Sequence, residues 1–213
     1  TVIYDAGVAP GIPNFILGTL NKDQKILSFQ YFVGGLPMEP KPPYNYKAPF
    51  SPIDVIEEYT RPARVMRNGE ILTLPALSEI IEKRYDRVGN LEAFNSDGLR
   101  SILITMGHIP NMLEKTLRYP GHADLIKREL ESKKIQPNDK KSLEKLFKEW
   151  ELNHGEKEFT ILDIKIECEL KNYNYLLYDQ TDDLTSISSM ARTTGYTATA
   201  TVNYLIEKGH KNY

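Results

Sequence analysis

This sequence of 213 residues has almost no material for metal or disulfide chemistry. It holds one cysteine, Cys168, so no disulfide closes within it and no cysteine cluster can grip a metal. Its four histidines, at positions 108, 122, 154 and 210, fall at no metal-ligand spacing, and no metal site is expected. A single thiol fits a reducing compartment, so a cytoplasmic location is the expectation. No apolar run approaches the roughly 20 residues that cross a bilayer, and no leader is read at the start, where Thr1 runs into a β-prone stretch. Neither sign of charge dominates. With 27 basic and 29 acidic residues and a net charge of -2, nothing favours nucleic acid or an anionic membrane as partner. No internal repeat is present, and G-x-G-x-x-G, the dinucleotide fingerprint, occurs nowhere.

What is present suits a packed fold. Hydrophobic residues make up 40% and charged residues 26%, enough to build a core in one large domain or two small ones. The stretch with most chemical content is Thr116-Leu-Arg-Tyr-Pro-Gly-His122. An extended run ends on Arg118, Pro120 and Gly121 force a turn, and His122 opens the next helix. That layout places a fixed cation and a group that titrates near neutral pH at the mouth of a cleft. An arginine there can clamp a carboxylate with a two-pronged hydrogen bond. The plainer reading is a strand, a turn and a surface helix start, with Arg118 in a solvent ion pair.

Read in order, Val2 to Tyr4 is strand-like, Asp5 to Gly11 is a glycine–proline turn, and Ile12, Phe15, Ile16 and Leu20 recur at helical spacing. Such a turn brings backbone N–H groups close to whatever lies at the strand's carboxyl end. Lys25 to Val33 reads as a strand running into Gly34-Gly35-Leu36-Pro37, a plain turn or a point where a ligand approaches the backbone. The proline-rich stretch from Met38 to Phe50 can be neither helix nor central strand, and its length suits a functional loop or an arm on a partner subunit. Ser51-Pro52 predicts a helix to Tyr59, with Ser51 as its cap. Asn68-Gly69 predicts a hairpin between Arg64–Arg67 and Glu70–Leu74. Leu91 to Phe94 is extended. Asp97 is the expected cap of a helix carrying Leu99, Ile102, Leu103 and Met106, with Arg100 in its first turn, where the helix dipole disfavours a cation and a partner is expected. Helices follow at 123–133 and 139–151. From Phe159 to Leu170 apolar and charged residues alternate, the strongest strand signal in the chain, with Cys168 in the apolar row as a core residue. A turn at Lys171-Asn172 leads to a strand at 173–179, as in an antiparallel sheet. The final helix, 185–208, is rich in Ala, Gly and Thr and requires a closely packed surface that nothing else in the sequence supplies.

Four segments are similar, in order and spacing, to the saccharopine dehydrogenase family in the part that follows its nucleotide-binding domain. They are Asp5-Ala-Gly-Val-Ala-Pro-Gly-Ile12 with Asn14, Gly34-Gly-Leu-Pro37, Asp97-Gly-Leu-Arg100 through Thr116–His122, and Ala191-Arg-Thr-Thr-Gly-Tyr196. The chain most resembles the bacterial and archaeal branch that includes L-lysine 6-dehydrogenase. The fungal and animal saccharopine reductases carry an acidic, a thiol and an arginine side chain where this chain has Ala9, Val33 and Ser96. Those departures count against saccharopine itself as substrate, and they leave Thr116, Leu117 and Arg118 as the matching substrate-contact positions.

The resemblance implies an α+β fold: a mostly antiparallel or mixed sheet with helices on one face, like the C-terminal part of glyceraldehyde-3-phosphate dehydrogenase. Residues 21–184 would form the substrate-binding and dimerisation domain. Residues 1–20 and the helix of 185–213 would return to a Rossmann domain upstream, which would bind most of the NAD or NADP. The implied activity is oxidoreduction at the C–N bond of an amino acid, lysine- or saccharopine-like, by a homodimer. Arg118 would hold the substrate carboxylate, with Asp97, Arg100, Gly34 and Gly35 as further contacts. Gly7, Pro10 and Gly11 would sit beside the nicotinamide. His122 would be the acid–base group, or would fix Arg118 and its loop. The alternative is a binding or dimerisation domain of the same fold that no longer catalyses, for which the inert side chains of Ala9, Val33 and Ser96 speak.

Overall fold

A computed structural model describes residues 2–153 and 155–208; His154 and His210 lie outside the described residues. The chain runs α1 (Ile12–Leu20), β1 (Ile26–Pro37), α2 (Pro52–Thr60), β2 (Ala63–Arg67), β3 (Glu70–Leu74), β4 (Ile81–Tyr85), β5 (Gly89–Asn95), α3 (Ile102–Thr105), β6 (Asn111–Arg118), α4 (His122–Glu131), α5 (Lys140–Trp150), β7 (Glu158–Cys168), β8 (Asn172–Gln180) and α6 (Ser189–Lys208). β1 is the central strand because it is rich in aromatic and β-branched residues and almost wholly buried. It pairs with β7 antiparallel along its length, from Ile26↔Cys168 to Pro37↔Glu158. On its other side it pairs with β6 in parallel, from Ser28↔Asn111 to Val33↔Thr116. The mixed sheet of eight strands is completed by β8 outside β7, by the β2–β3 hairpin at the start of β6, and by β4–β5 at its end.

The α+β fold on a mixed sheet is thus as expected, and its cover extends to both faces. On one face Phe32, Leu36 and Ile161 meet Val55, Ile56 and Tyr59 of α2, Ile126 of α4 and Trp150 of α5. On the other, Phe29, Tyr31 and Ile164 meet Leu17 of α1 and Ile102 and Leu103 of α3. Leu17 is fully buried there, so α1 is part of the sheet's own core. Cys168 is a buried core residue, as its place in the apolar row predicts.

Several local expectations are corrected. Val2 to Tyr4 is exposed and forms no strand, since no neighbour takes up its backbone hydrogen bonds. The Gly34-Gly35 pair lies inside β1, not in a turn after it. The helix expected from Leu99 shrinks to four residues, and Ser51 makes no side-chain cap on α2. Asp97 does not cap α3, because Arg64 occupies its carboxylate, and Arg100 stands before the helix with φ 48°. Leu170 lies beyond β7 and is exposed, because the chain has already turned towards β8. The strand β4 carried no clear signal: Ile-Glu-Lys-Arg-Tyr is mostly polar and is held by pairing with β5.

Gly34 is required by close approach. A Cβ built there would lie 2.9 Å from both the Cβ and the carbonyl oxygen of Leu117 on β6. Gly34→Ala is therefore expected to destabilise the fold by ~1–3 kcal/mol, the usual cost of forcing extra volume into a packed interior. Urea unfolding measures this, and a loss below ~0.5 kcal/mol would mean that β1 and β6 part there without strain.

Candidate functional site

The parallel pairing of β1 and β6 ends at Val33↔Thr116, and a cavity of about 270 Å³ opens where it ends. Its walls are Gly7 to Pro10, Val33 to Gly35, Phe50, Glu58, Thr116, Arg118, Met190 and Thr194. Five chain segments that are far apart in sequence therefore meet at the carboxyl ends of two parallel strands, the usual place for a ligand in an open sheet. The cavity brings together Gly7, Pro10, Gly34, Gly35, Thr116 and Arg118 of the residues singled out from the sequence. Gly11, Leu117, Asp97, Arg100 and His122 do not line it. A roomier hollow of about 690 Å³, between the proline-rich segment and α5, contains none of them.

Arg118 is nearly inaccessible, at 2% exposure, and most of its donors are taken. Nε donates to the Tyr59 hydroxyl at 3.0 Å, and one terminal nitrogen to the Leu117 carbonyl at 2.9 Å. The other terminal nitrogen donates to Glu58 at 2.9 Å and to Tyr46 at 3.4 Å. Of the five N–H donors of a guanidinium, one is left for a ligand. The open two-pronged fork expected from the sequence is not there. The cavity-facing charge is instead the Arg118–Glu58 pair, whose carboxylate is the more exposed partner, at 29%. Burial pushes the Glu58 carboxyl up from its usual range, and Arg118 opposes that shift.

His122 is 2% exposed, and its two ring nitrogens are both engaged at 2.8 Å. Nδ1 faces the Tyr44 backbone carbonyl, which can only accept, so the neutral ring carries its proton on Nδ1. Nε2 is then the acceptor for the Tyr59 hydroxyl. A directed chain follows: Arg118 donates to Tyr59, Tyr59 to His122, and His122 to Tyr44. Burial, with Arg118 close by, lowers the imidazole pKa to about 3. The expectation that His122 changes charge near neutral pH is thereby corrected, because a second cation beside a buried guanidinium is unfavourable.

Asp97, Leu117 and Gly11 have structural duties. Asp97 accepts from Arg64 at Nε and Nη2, both 2.9 Å, and from its backbone N–H. Leu117 points into the core. Gly11 donates to the Asn14 side chain, which itself reaches Ser101, and Asp5 accepts from the Ser101 backbone. The opening loop is thus stitched to the segment after Asp97. Sequence reasoning missed Glu58, since a glutamate on an amphipathic helix reads as solvent-facing. It also missed Glu114, buried in β6 behind Thr116. The available signal was the adjacent Glu114-Lys115 pair inside a strand whose neighbours are mostly buried.

Comparison with known proteins gives the family and the fold. The model of the saccharopine dehydrogenase C-terminal domain matches residues 7–212. The chain belongs to that family. The mitochondrial alpha-aminoadipic semialdehyde synthase of Rattus norvegicus is 27% identical over 139 residues, covering 59% of this chain and 15% of the rat protein. The fold is also that of the apo saccharopine dehydrogenase (L-Glu forming) of Saccharomyces cerevisiae, with a TM-score of 0.71 at 17% identity over 97% of this chain and 65% of the yeast chain. This saccharopine dehydrogenase C-terminal domain therefore spans less than two thirds of the length of either relative. No described helix is long and apolar enough to cross a membrane, and no described group of His, Cys, Asp and Glu could hold a metal ion.

The His122 assignment predicts an imidazole that stays neutral, protonated on Nδ1, from pH 8 down to pH 5. Its ring ¹⁵N shifts measure this directly. Movement of those shifts with a midpoint near 6.5, the value of a free imidazole, would overturn the assignment.

Proposed function

We propose that the chain is the substrate-binding part of an NAD(P)-dependent oxidoreductase acting on the C–N bond of an amino acid. The observation that supports this most is the single cavity on which Gly7, Pro10, Gly34, Gly35, Thr116 and Arg118 converge, since four family-like segments supply its walls. Its ionic content suits a zwitterion. The free N–H of Arg118 meets the substrate carboxylate, and Glu58 meets its ammonium group. Val33 and Ala9 leave the adjoining wall apolar, which favours the methylene chain of a lysine-like substrate over a second amino-acid head group. His122 acts by holding Tyr59, and through it Arg118, in place.

NAD or NADP would be held mainly by a nucleotide-binding domain upstream. The residues here fit one end of that cofactor: Gly7 to Pro10 and Thr194 form a wall of small, uncharged groups against which a flat ring can lie. When bound, the cofactor supplies the hydride acceptor. This chain's residues bind and orient the amino acid and shield it from water. The exposed Tyr196, Val202, Tyr204 and Ile206 of α6, with Val2 to Tyr4, give the upstream domain an apolar surface to cover. A homodimer with cytoplasmic location completes the reading.

The test is reduction of NAD and NADP by the full-length protein with L-lysine and saccharopine offered separately. Turnover with L-lysine is expected. Arg118→Lys is expected to raise KM about tenfold or more while kcat changes less, because a point charge replaces neither the ring of donors nor their geometry. An unchanged KM in a variant that stays folded would remove Arg118 from the substrate. No turnover with any amine would favour the non-catalytic binding domain.

A further inference from the structure

Behind the cavity wall lies an unbroken line of buried hydrogen bonds that the binding reading does not use. The Thr116 hydroxyl, on the wall, is 2.7 Å from the Ser96 hydroxyl. Ser96 in turn donates to Oε2 of Glu114 at 2.7 Å. All three residues are at most 4% exposed. The Gly98 backbone N–H also donates to Oε2, at 3.0 Å, and the ionised carboxylate, which can only accept, fixes the direction of the line. With Oε2 accepting twice, Ser96 gives its proton to Glu114 and Thr116 gives its proton to Ser96. The Thr116 oxygen, a donor in this line, keeps its lone pairs free to accept. The glycine at 98 is part of the arrangement, since a Cβ there would lie 2.6–2.7 Å from the Glu114 carboxyl.

We propose that Glu114 is the proton acceptor of this cavity, reached through the hydroxyls of Ser96 and Thr116. The proposal rests on the amine-oxidising reading above, because such a substrate must lose an N–H proton before its nitrogen lone pair can assist departure of hydride. An ammonium N–H placed against Thr116 breaks as its proton passes to the threonine oxygen. The Thr116 proton moves to Ser96, and the Ser96 proton to Oε2. The substrate is left as a neutral amine and the carboxylate becomes a carboxylic acid, so charge and protons balance. Glu114 suits the task, since burial lifts its pKa to about 8, with Glu58 of α2 and Asp97 adding to the shift and the Ser96 and Gly98 bonds opposing it. The other titratable groups around it are Tyr31 of β1, which stays neutral and donates to the Gly98 carbonyl at 2.6 Å, and Lys115 on its own strand.

The experiment is the pH profile of kcat/KM for nicotinamide reduction by the full-length protein with L-lysine. It compares the wild type with Glu114→Gln, Thr116→Val, Thr116→Ser and Glu58→Gln, alongside a carboxyl ¹³C titration of the folded protein. The expected wild-type rate rises through about pH 8, in step with a glutamate carboxyl signal that Glu114→Gln abolishes. Glu114→Gln and the isosteric Thr116→Val should lose that limb and fall on the order of 100-fold, whereas Thr116→Ser, which keeps the hydroxyl, should retain it. A limb that survives Glu114→Gln, or disappears only in Glu58→Gln, overturns the proposal and leaves the binding reading standing. A wild type that oxidises no amine overturns both.

Discussion

A buried guanidinium governs this structure. A charge removed from water is tolerated only where it is paired and its donors are met. Arg118 meets that demand by drawing in three separate parts of the chain. Glu58 and Tyr59 come from α2, Tyr46 from the proline-rich segment, and the Leu117 carbonyl from its own strand. The Tyr46 ring also lies under the cation, 4.3 Å from its centroid. His122 extends the same network to the start of α4 and to Tyr44. Aromatic packing then follows from the polar scheme, since Tyr44, Tyr46 and Tyr59 all meet Trp150 edge-on.

The sheet explains why this network borders a cavity. β1 and β6 are parallel neighbours, so they cannot be joined by a tight turn, and the chain between them builds α2, both hairpins and α3. Where their pairing stops, the opening loop and the first turn of α6 close the space. α6 is anchored there by Glu158, whose Oε1 accepts from the Met190 N–H at 3.0 Å, and by the buried Ser189 and Thr193. The cavity is thus a consequence of strand order, with its charged floor supplied by Arg118 and Glu58.

Two buried ionisable groups next to each other in β6 show how burial sorts chemistry. Glu114 and Lys115 point to opposite faces because strand residues alternate. Burial moves each towards its neutral form, to about 8 in both cases. Lys115 donates to Asn95 and to the Glu79 carbonyl and belongs to the sheet's structural side. Glu114 faces Ser96 and Thr116 and connects to the cavity. One strand carries a structural cation and an acid linked to the cavity in successive positions.

Local pattern was enough to define the helices α1, α2, α4 and α5, the hairpin around Asn68-Gly69, and the alternating strand β7. Each is set by spacing, proline or glycine, and those signals act over a few residues. Spacing with family-like segments also singled out Thr116, Arg118 and the Gly34-Gly35 pair. Tertiary structure decided the rest. It closed the fork of Arg118, since four of its five donors meet partners up to 72 residues away or on its own strand. It made His122 neutral, because desolvation depends on what packs around a ring and not on its neighbours in sequence. It took Asp97 from a helix cap to a partner of Arg64, and it brought Glu58 and Glu114, unremarkable in sequence, to the cavity and to the residues behind it. The sequence by itself determined the strongly patterned helices and strands and which residues carry charge. Only the packing of distant segments decided which of those charges are buried, paired or left facing the cavity.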